Sequence, residues 1–249
     1  AASGSTFAIG TTTVTATATD DSGNTATCSF NVTVVDTTSP AITCASAPAT
    51  AEATSSAGAA VTYGAASATD TGDDSVAITY SAASGSTFAI GTTAVTATAT
   101  DDSGNTSTCS FNVTVADTTS PAITCATAPA PVEATSSDGV PVSYEPATAT
   151  DTGDDSVTIT YSAASGSTFA IGTTTVTATA TDDSGNTSTC TFNVTVVDTT
   201  SPAITCASAP ATAEATSSAG AVVTYGAASA TDTGDDSVAL TYSAASGST

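Results

Sequence analysis

Side chains able to do chemistry are of few kinds in this sequence: carboxylates, thiols and hydroxyls. Asp and Glu number 23 against no Lys, Arg or His, so the formal net charge is −23. A serine or cysteine nucleophile would have no imidazole or amine to take its proton, and an oxyanion no cationic donor. Paired carboxylates can divide acid and base work. Here, however, they sit in turn-forming strings, TDTGDDS and DDSGN, that recur along the chain and read as architecture. No enzymatic activity is expected. Uncompensated carboxylates invite a hard cation, calcium above all, which gathers about six to eight oxygen ligands. The same charge repels phosphate, so neither nucleic acid nor an anionic membrane surface is an expected partner.

The thiols are Cys28, Cys44, Cys109, Cys125, Cys190 and Cys206. Zinc is a poor fit, because there is no His and no CxxC pair. Each cysteine falls in a segment with strand character, and the chain has the composition of an exported protein, which favours disulfides over free thiols. The hydroxyls form ladders such as Thr13, Thr15, Thr17 and Thr19. β-propensity and solubility account for them, with an ice-binding surface as a remote alternative. Asn31, Asn112 and Asn193 head NVT sequons on outward strand positions, and Asn105 and Asn186 head NTS. They permit N-glycosylation in a host that performs it.

These groups are carried by a repeat with a period of 81 residues: Phe7, Phe88 and Phe169 correspond, as do Cys28, Cys109 and Cys190, and Cys44, Cys125 and Cys206. Residues 1–81 and 163–243 differ only at Ala26/Ser188, Ser29/Thr191, Ala60/Val222 and Ile78/Leu240. Within one period the pattern is all β. Residues 92–101 alternate strictly, with Val95, Ala97 and Ala99 on one face. A DSGN turn leads to 106–117, where Cys109, Phe111, Val113 and Val115 share a face, so the two runs read as a hairpin. Strands are also expected at 75–82 (Val76, Ile78, Tyr80 inward) and 60–64 (Val61, Tyr63 inward). Short strands with frequent turns predict tandem β-sandwiches. Their cores, mostly Ala and Val, are thin enough to need a covalent staple.

The recurring DTTSP segment marks the boundaries. It leaves a C-terminal part of a module at 1–35, complete modules at 38–116 and 119–197, and an N-terminal part of a module at 200–249. A chain without methionine is expected to be an excerpt, with any export signal or anchor elsewhere. No apolar run is long enough to insert directly into a bilayer as a helix.

The strings DTTSPAITC and SGSTFAIGTTAVTATATDDSGNTSTCSFNVTVAD resemble the hyalin repeat, an immunoglobulin-like module of extracellular adhesion and matrix proteins. The resemblance implies tandem immunoglobulin-like β-sandwich modules, an adhesive or matrix-building role and no catalysis. Many hyalin repeats carry four cysteines. The middle two are replaced here by Tyr80 and Ala97, and by Tyr161 and Ala178. Their joint loss implies that they pair with each other, which leaves Cys44 with Cys109 and Cys125 with Cys190. A rival pairing joins Cys28 to Cys44 across a boundary.

In a sandwich of this kind the loop between the second and third strands, the last hairpin and the incoming linker lie at one end. That would gather Asp36, Asp70, Asp73, Asp74, Asp101, Asp102 and Asn105 in one copy, and Asp117, Asp154, Asp155, Asp182 and Asp183 in the next, as calcium ligands. Neither loop has EF-hand spacing. The expected role is a structural segment of an extracellular or cell-surface rod or fibre, with copies of itself head to tail as partners. The alternative is an adhesin whose modules bind a cell-surface or matrix ligand directly. The two incomplete modules together make one module. Either they complete each other between chains, or the sequence is a window on a longer array.

Overall fold

The computed structural model describes residues 2–72, 75–210 and 212–247. The chain divides into two compact units, Ala1–Thr118 and Thr119–Thr249. The first begins with a hairpin of β1 (Gly10–Thr19) and β2 (Thr25–Val34). A complete module follows: β3 (Ala41–Thr43), β4 (Ala51–Glu52), β5 (Ala59–Ala60), β6 (Ser67–Thr69), β7 (Val76–Tyr80), β8 (Thr87–Phe88), β9 (Gly91–Asp101) and β10 (Thr106–Ala116). The second unit repeats that module as β11 (Ala122–Thr124), β12 (Val132–Glu133), β13 (Val140–Pro141), β14 (Thr148–Thr150), β15 (Val157–Tyr161), β16 (Thr168–Phe169), β17 (Gly172–Asp182) and β18 (Thr187–Val197). It then adds the incomplete β19 (Ala203–Thr205) and β20 (Ser229–Thr231). Among the described residues no helix is long and apolar enough to cross a membrane.

One layer of a complete module is a four-stranded sheet in the order β4-β10-β9-β7, antiparallel except for the β4–β10 pair. The pairs β3–β6 and β5–β8 form the facing layer. Strict alternation in β9 and β10 turns one face inward, so Val95, Ala97, Ala99 and Val113 have no exposed surface, and Val115 almost none. Val61, Phe88 and Phe111 close the core from the side and the facing layer. Cys44 and Cys109 are joined across the two layers, as are Cys125 and Cys190, each pair with Cα atoms 5.6 Å apart. Ala97 stands directly opposite Cys109 in the register, and a side chain that small leaves the inner face room for the bridge.

The strand expected at 60–64 ends at Ala60. Beyond it Val61 bonds through its N–H to the Ser86 carbonyl (3.1 Å) and through its carbonyl to the Gly85 N–H (2.8 Å). The Tyr63 N–H donates to Ser84 Oγ at 2.9 Å. The neighbour of this segment is a turn rather than a strand, so its backbone partners never form a ladder.

Gly58 closes the loop ahead of β5 with φ +102°, and a Cβ there would lie 1.9 Å from the Phe88 carbonyl oxygen. Gly58→Ala is therefore expected to lower the stability of the first complete module by about 3 kcal/mol. Urea unfolding followed by tyrosine fluorescence would measure it. A loss under about 1 kcal/mol would mean that the β5–β8 backbone relaxes freely.

In the incomplete modules the inward positions are more open than their counterparts in the complete ones. Phe30 is 56% exposed, where the equivalent Phe111 is 8%, and Tyr242 is 46% exposed. Phe7, Val14, Val32, Val223, Tyr225 and Leu240 are half-buried, less open than two bare edges would leave them. Residues 2–7 fold back over the hairpin and share a cavity with Val14, Phe30 and Val32.

Candidate functional site

The hairpin between β9 and β10 turns on Asp101, which continues the inward phase of Val95, Ala97 and Ala99 and is only 5% exposed. Its two carboxylate oxygens accept the Asn105 N–H at 2.7 Å and the Asn105 side-chain amide at 2.8 Å. Burial acts to raise the Asp101 carboxyl, but the Asn105 donors and the Ser103 and Gly104 amides outweigh it and hold the group below its ordinary value. The Asn105 amide also donates to the Asp36 carbonyl oxygen at 3.3 Å, fastening the incoming linker to the hairpin.

Asp36 and Asp70 reach the same place from the linker and from the loop after β6. One carboxylate oxygen of each fixes its own segment: Asp36 accepts from the Thr38 N–H at 2.9 Å, and Asp70 from the Gly72 N–H at 2.8 Å. The other oxygen, Oδ2 in both, is buried with no hydrogen-bond partner. Carboxylate oxygens of Asp36, Asp70 and Asp101 all lie within 4.8 Å of one another. Gly72 makes room for this approach, since a Cβ there would stand 2.5 Å from Asp36 Oδ2.

Parts of the arrangement recur in the second unit. Asp182 is bound by Asn186 through the same two donors, at 2.7 and 3.0 Å. Asp198 accepts from the Thr200 N–H at 3.0 Å while Gly234 packs on its carboxylate, and Asp232 Oδ2 is buried without a partner.

Asp154 brings a carboxylate oxygen within 4.8 Å of one of Asp182, as Asp70 does to Asp101, whereas Asp102 and Asp183 are placed differently. Asp102 points away from Asp101 and accepts the Ser75 hydroxyl, as Asp183 accepts that of Ser156. Asp154 is taken by the Asp183 N–H at 2.7 Å. Asp155 is exposed and Asp117 buried, while Asp73 and Asp74 lie outside the described residues. Of the sequons, Asn112 is exposed and faces Ala94 across the strand pair. Asn105 and Asn186 are committed to their aspartates through the amide a glycan would need.

The glutamates carry a role that the sequence reading passed over. Glu52 accepts the Thr118 N–H and hydroxyl at 2.8 and 2.9 Å, and Glu133 binds Thr199 in the same way at 2.7 and 2.9 Å. The Thr199 N–H and hydroxyl, with Thr200, hold the Glu133 carboxyl below its ordinary value. Each glutamate thus pins the outgoing linker to the module it leaves. The available signal was Glu at the repeat period, at 52, 133 and 214, in a chain whose acids are otherwise mostly Asp.

A family model described as the HYR domain matches residues 1–34, 35–115 and 116–196. The chain belongs to the HYR domain family. HYR modules therefore account for both complete sandwiches and for the leading hairpin. No curated protein matches the chain. Among solved structures it is similar to a protocadherin gammaB7 EC3-6 cis-dimer, at 18% identity and TM-score 0.35, over 79% of this chain and 60% of that one. It is also similar to protocadherin gamma B2 domains 3–6 (16%, TM-score 0.34, 78% and 59%) and Drosophila N-cadherin EC1-3 (16%, TM-score 0.25, 70% and 73%). The chain spans about 60% of the length of the first of these structures.

Proposed function

We propose that the chain is a stretch of an extracellular or cell-surface rod, structural and not catalytic, in which serial HYR modules are held in line by calcium at the module entrance. Copies of the chain extend the rod head to tail. The observation that carries this reading is the meeting of Asp36, Asp70 and Asp101 within 4.8 Å, with Asp36 Oδ2 and Asp70 Oδ2 buried and unpartnered. No cationic side chain exists anywhere in the sequence to offset these charges. An all-oxygen donor set suits calcium, and the bound ion would supply the missing positive charge.

The chain's own residues do the rest. Asn105 fixes Asp101 and the linker carbonyl, Thr38 and Gly72 fix the other two carboxylates, and Glu52 holds the linker at the module's far end. The repeats differ little from one another and expose few aromatic side chains, which favours a spacer over a set of separate ligand-binding faces.

Calorimetric titration with calcium chloride at fixed ionic strength is expected to detect binding, weakened at least tenfold by Asp36→Asn. Chelation is expected to leave the modules folded while the maximum dimension from small-angle scattering falls. No heat of binding together with an unchanged dimension would reduce these aspartates to turn residues.

A further inference from the structure

The four-stranded sheet of each complete module ends on a free edge. In the order β4-β10-β9-β7 the last strand is β7, and in the second complete module it is β15. The Ser81 N–H donates to the Thr96 carbonyl at 3.0 Å, which continues the register that pairs Thr79 with Thr98 and Ala77 with Thr100. Hydrogen-bonded pairs alternate along an antiparallel ladder, so Val76, Ile78 and Tyr80 turn their N–H and carbonyl groups away from β9. Among the described residues no backbone group meets them. Val157, Ile159 and Tyr161 stand in the same way on β15, where the Ser162 N–H donates to the Thr177 carbonyl at 2.9 Å. The side chains of Val76, Ile78 and Tyr80 face inward yet are only half-buried, whereas Val95 and Val113 on the two inner strands have no exposed surface. An edge is commonly guarded by Lys, Pro or a bulge, and the run VAITY has none of these and no charge.

We infer that β7 of one copy of this chain pairs antiparallel with β7 of a second copy, joining two four-stranded sheets into one, and that β15 offers the same contact. This goes beyond the head-to-tail rod and does not depend on calcium. Centred on Ile78, the pairing sets Val76 opposite Tyr80 of the second copy and matches each outward donor with an outward acceptor. It also continues the inward face from sheet to sheet, covering the side chains that one module leaves half-open. Charge selects the direction. In the sequence Asp73 and Asp74 precede β7, as Asp154 and Asp155 precede β15, and an uncharged SAASG run follows each strand. Antiparallel pairing lays each acidic end against that neutral run, whereas parallel pairing would set acid beside acid. The contact is isologous, so it closes on two copies and does not propagate.

The register fixes which positions meet on the outer face. Ala77 and Thr79, both exposed, become a directly opposed pair with Cα atoms about 4.5 Å apart. Ala77 of one copy and Ala77 of the other lie on a diagonal of about 7 to 8 Å, as do the two copies of Thr79. A disulfide spans about 4.4 to 6.8 Å between Cα atoms, so cysteines at 77 and 79 can bridge while like positions cannot.

The test uses full-length chains with Cys28→Ser and Cys206→Ser, so that the free thiols are those introduced. Chains carrying Ala77→Cys are mixed with chains carrying Thr79→Cys under oxidised glutathione and followed by non-reducing electrophoresis and peptide mass. A 47 kDa heterodimer, twice the 23.5 kDa chain, is expected, linked 77 to 79. It should form at least about tenfold faster than either variant dimerises alone. Ile78→Pro on both chains removes an N–H that the module itself leaves unpaired and should abolish the advantage, while Ile78→Val keeps it. Like chains that link as fast as mixed ones, or an advantage that survives Ile78→Pro, would overturn the pairing. So would thiols that stay unlinked, which would leave the edge to a strand of another protein.

Discussion

Replacing Cys125 and Cys190 together by alanine is expected to lower the stability of the second complete module by about 4 kcal/mol. The bridge closes a loop of 65 residues, and a cross-link of that span removes a large part of the unfolded chain's freedom. The loss is a large share of the 5 to 15 kcal/mol or so that holds an ordinary domain. The core offers little in reserve, because Ala178 and Ala180 contribute methyl groups where a thicker sandwich would place branched side chains. Urea unfolding followed by tyrosine fluorescence should show the second module's transition move to lower urea while the first module's stays, and reduction of the unmutated chain should move both. A change below about 1 kcal/mol would show that the unfolded chain is already compact without the bridge.

Phe192→Ala is expected to cost about 3 to 5 kcal/mol by the loss of transferred surface and the cavity left behind. Phe192 is 7% exposed and meets Tyr144 edge-on, with ring centroids 4.8 Å apart. The tyrosine is tied at its far end, where its hydroxyl donates to the Ala163 carbonyl, and cannot swing into the space. Phe30→Ala supplies the control. It removes the same side chain from the equivalent but largely exposed position of β2, and thermal unfolding of the complete modules should move by less than about 1 kcal/mol. Equal effects of the two substitutions would show that the aromatic stack is not what stabilises the sandwich.

The long hairpins were legible because alternation is a local property: Val95, Ala97 and Ala99 announce their face with no knowledge of what covers it. The two-residue strands were not. Val132-Glu133 is a strand only because Val196 and Val197 lie alongside it, and nothing in a dipeptide encodes that partner. The same division runs through the candidate site. Asp36 and Asp101 were expected near each other, and Asp101 follows from the phase of β9. Asp102 was grouped with it by adjacency, although the same alternation turns it outward to Ser75. The glutamate clamp escaped because its partner lies 66 residues away, at the opposite end of a module.

The position of the disulfide also decides how a module behaves under tension. A pull along the chain enters near Asp36 and leaves near Asp117, and the Cys44–Cys109 bond lies between those points. Force therefore passes from the linker to sulfur and out along the end of β10, and the residues between the cysteines carry almost none of it. Roughly 210 to 230 Å of contour length, 65 residues at about 3.3 to 3.6 Å each, is withheld from extension. Outside that covalent shunt the tension runs along residues 110–116 at the end of β10, which are held to the bridged loop by the parallel pairing with β4 and by the Ala53 N–H to the Ala116 carbonyl at 2.8 Å. Strands drawn apart along their own direction must break such bonds together rather than one by one. An oxidised module thus yields by a short, stiff step, and a reduced one pays out its whole length.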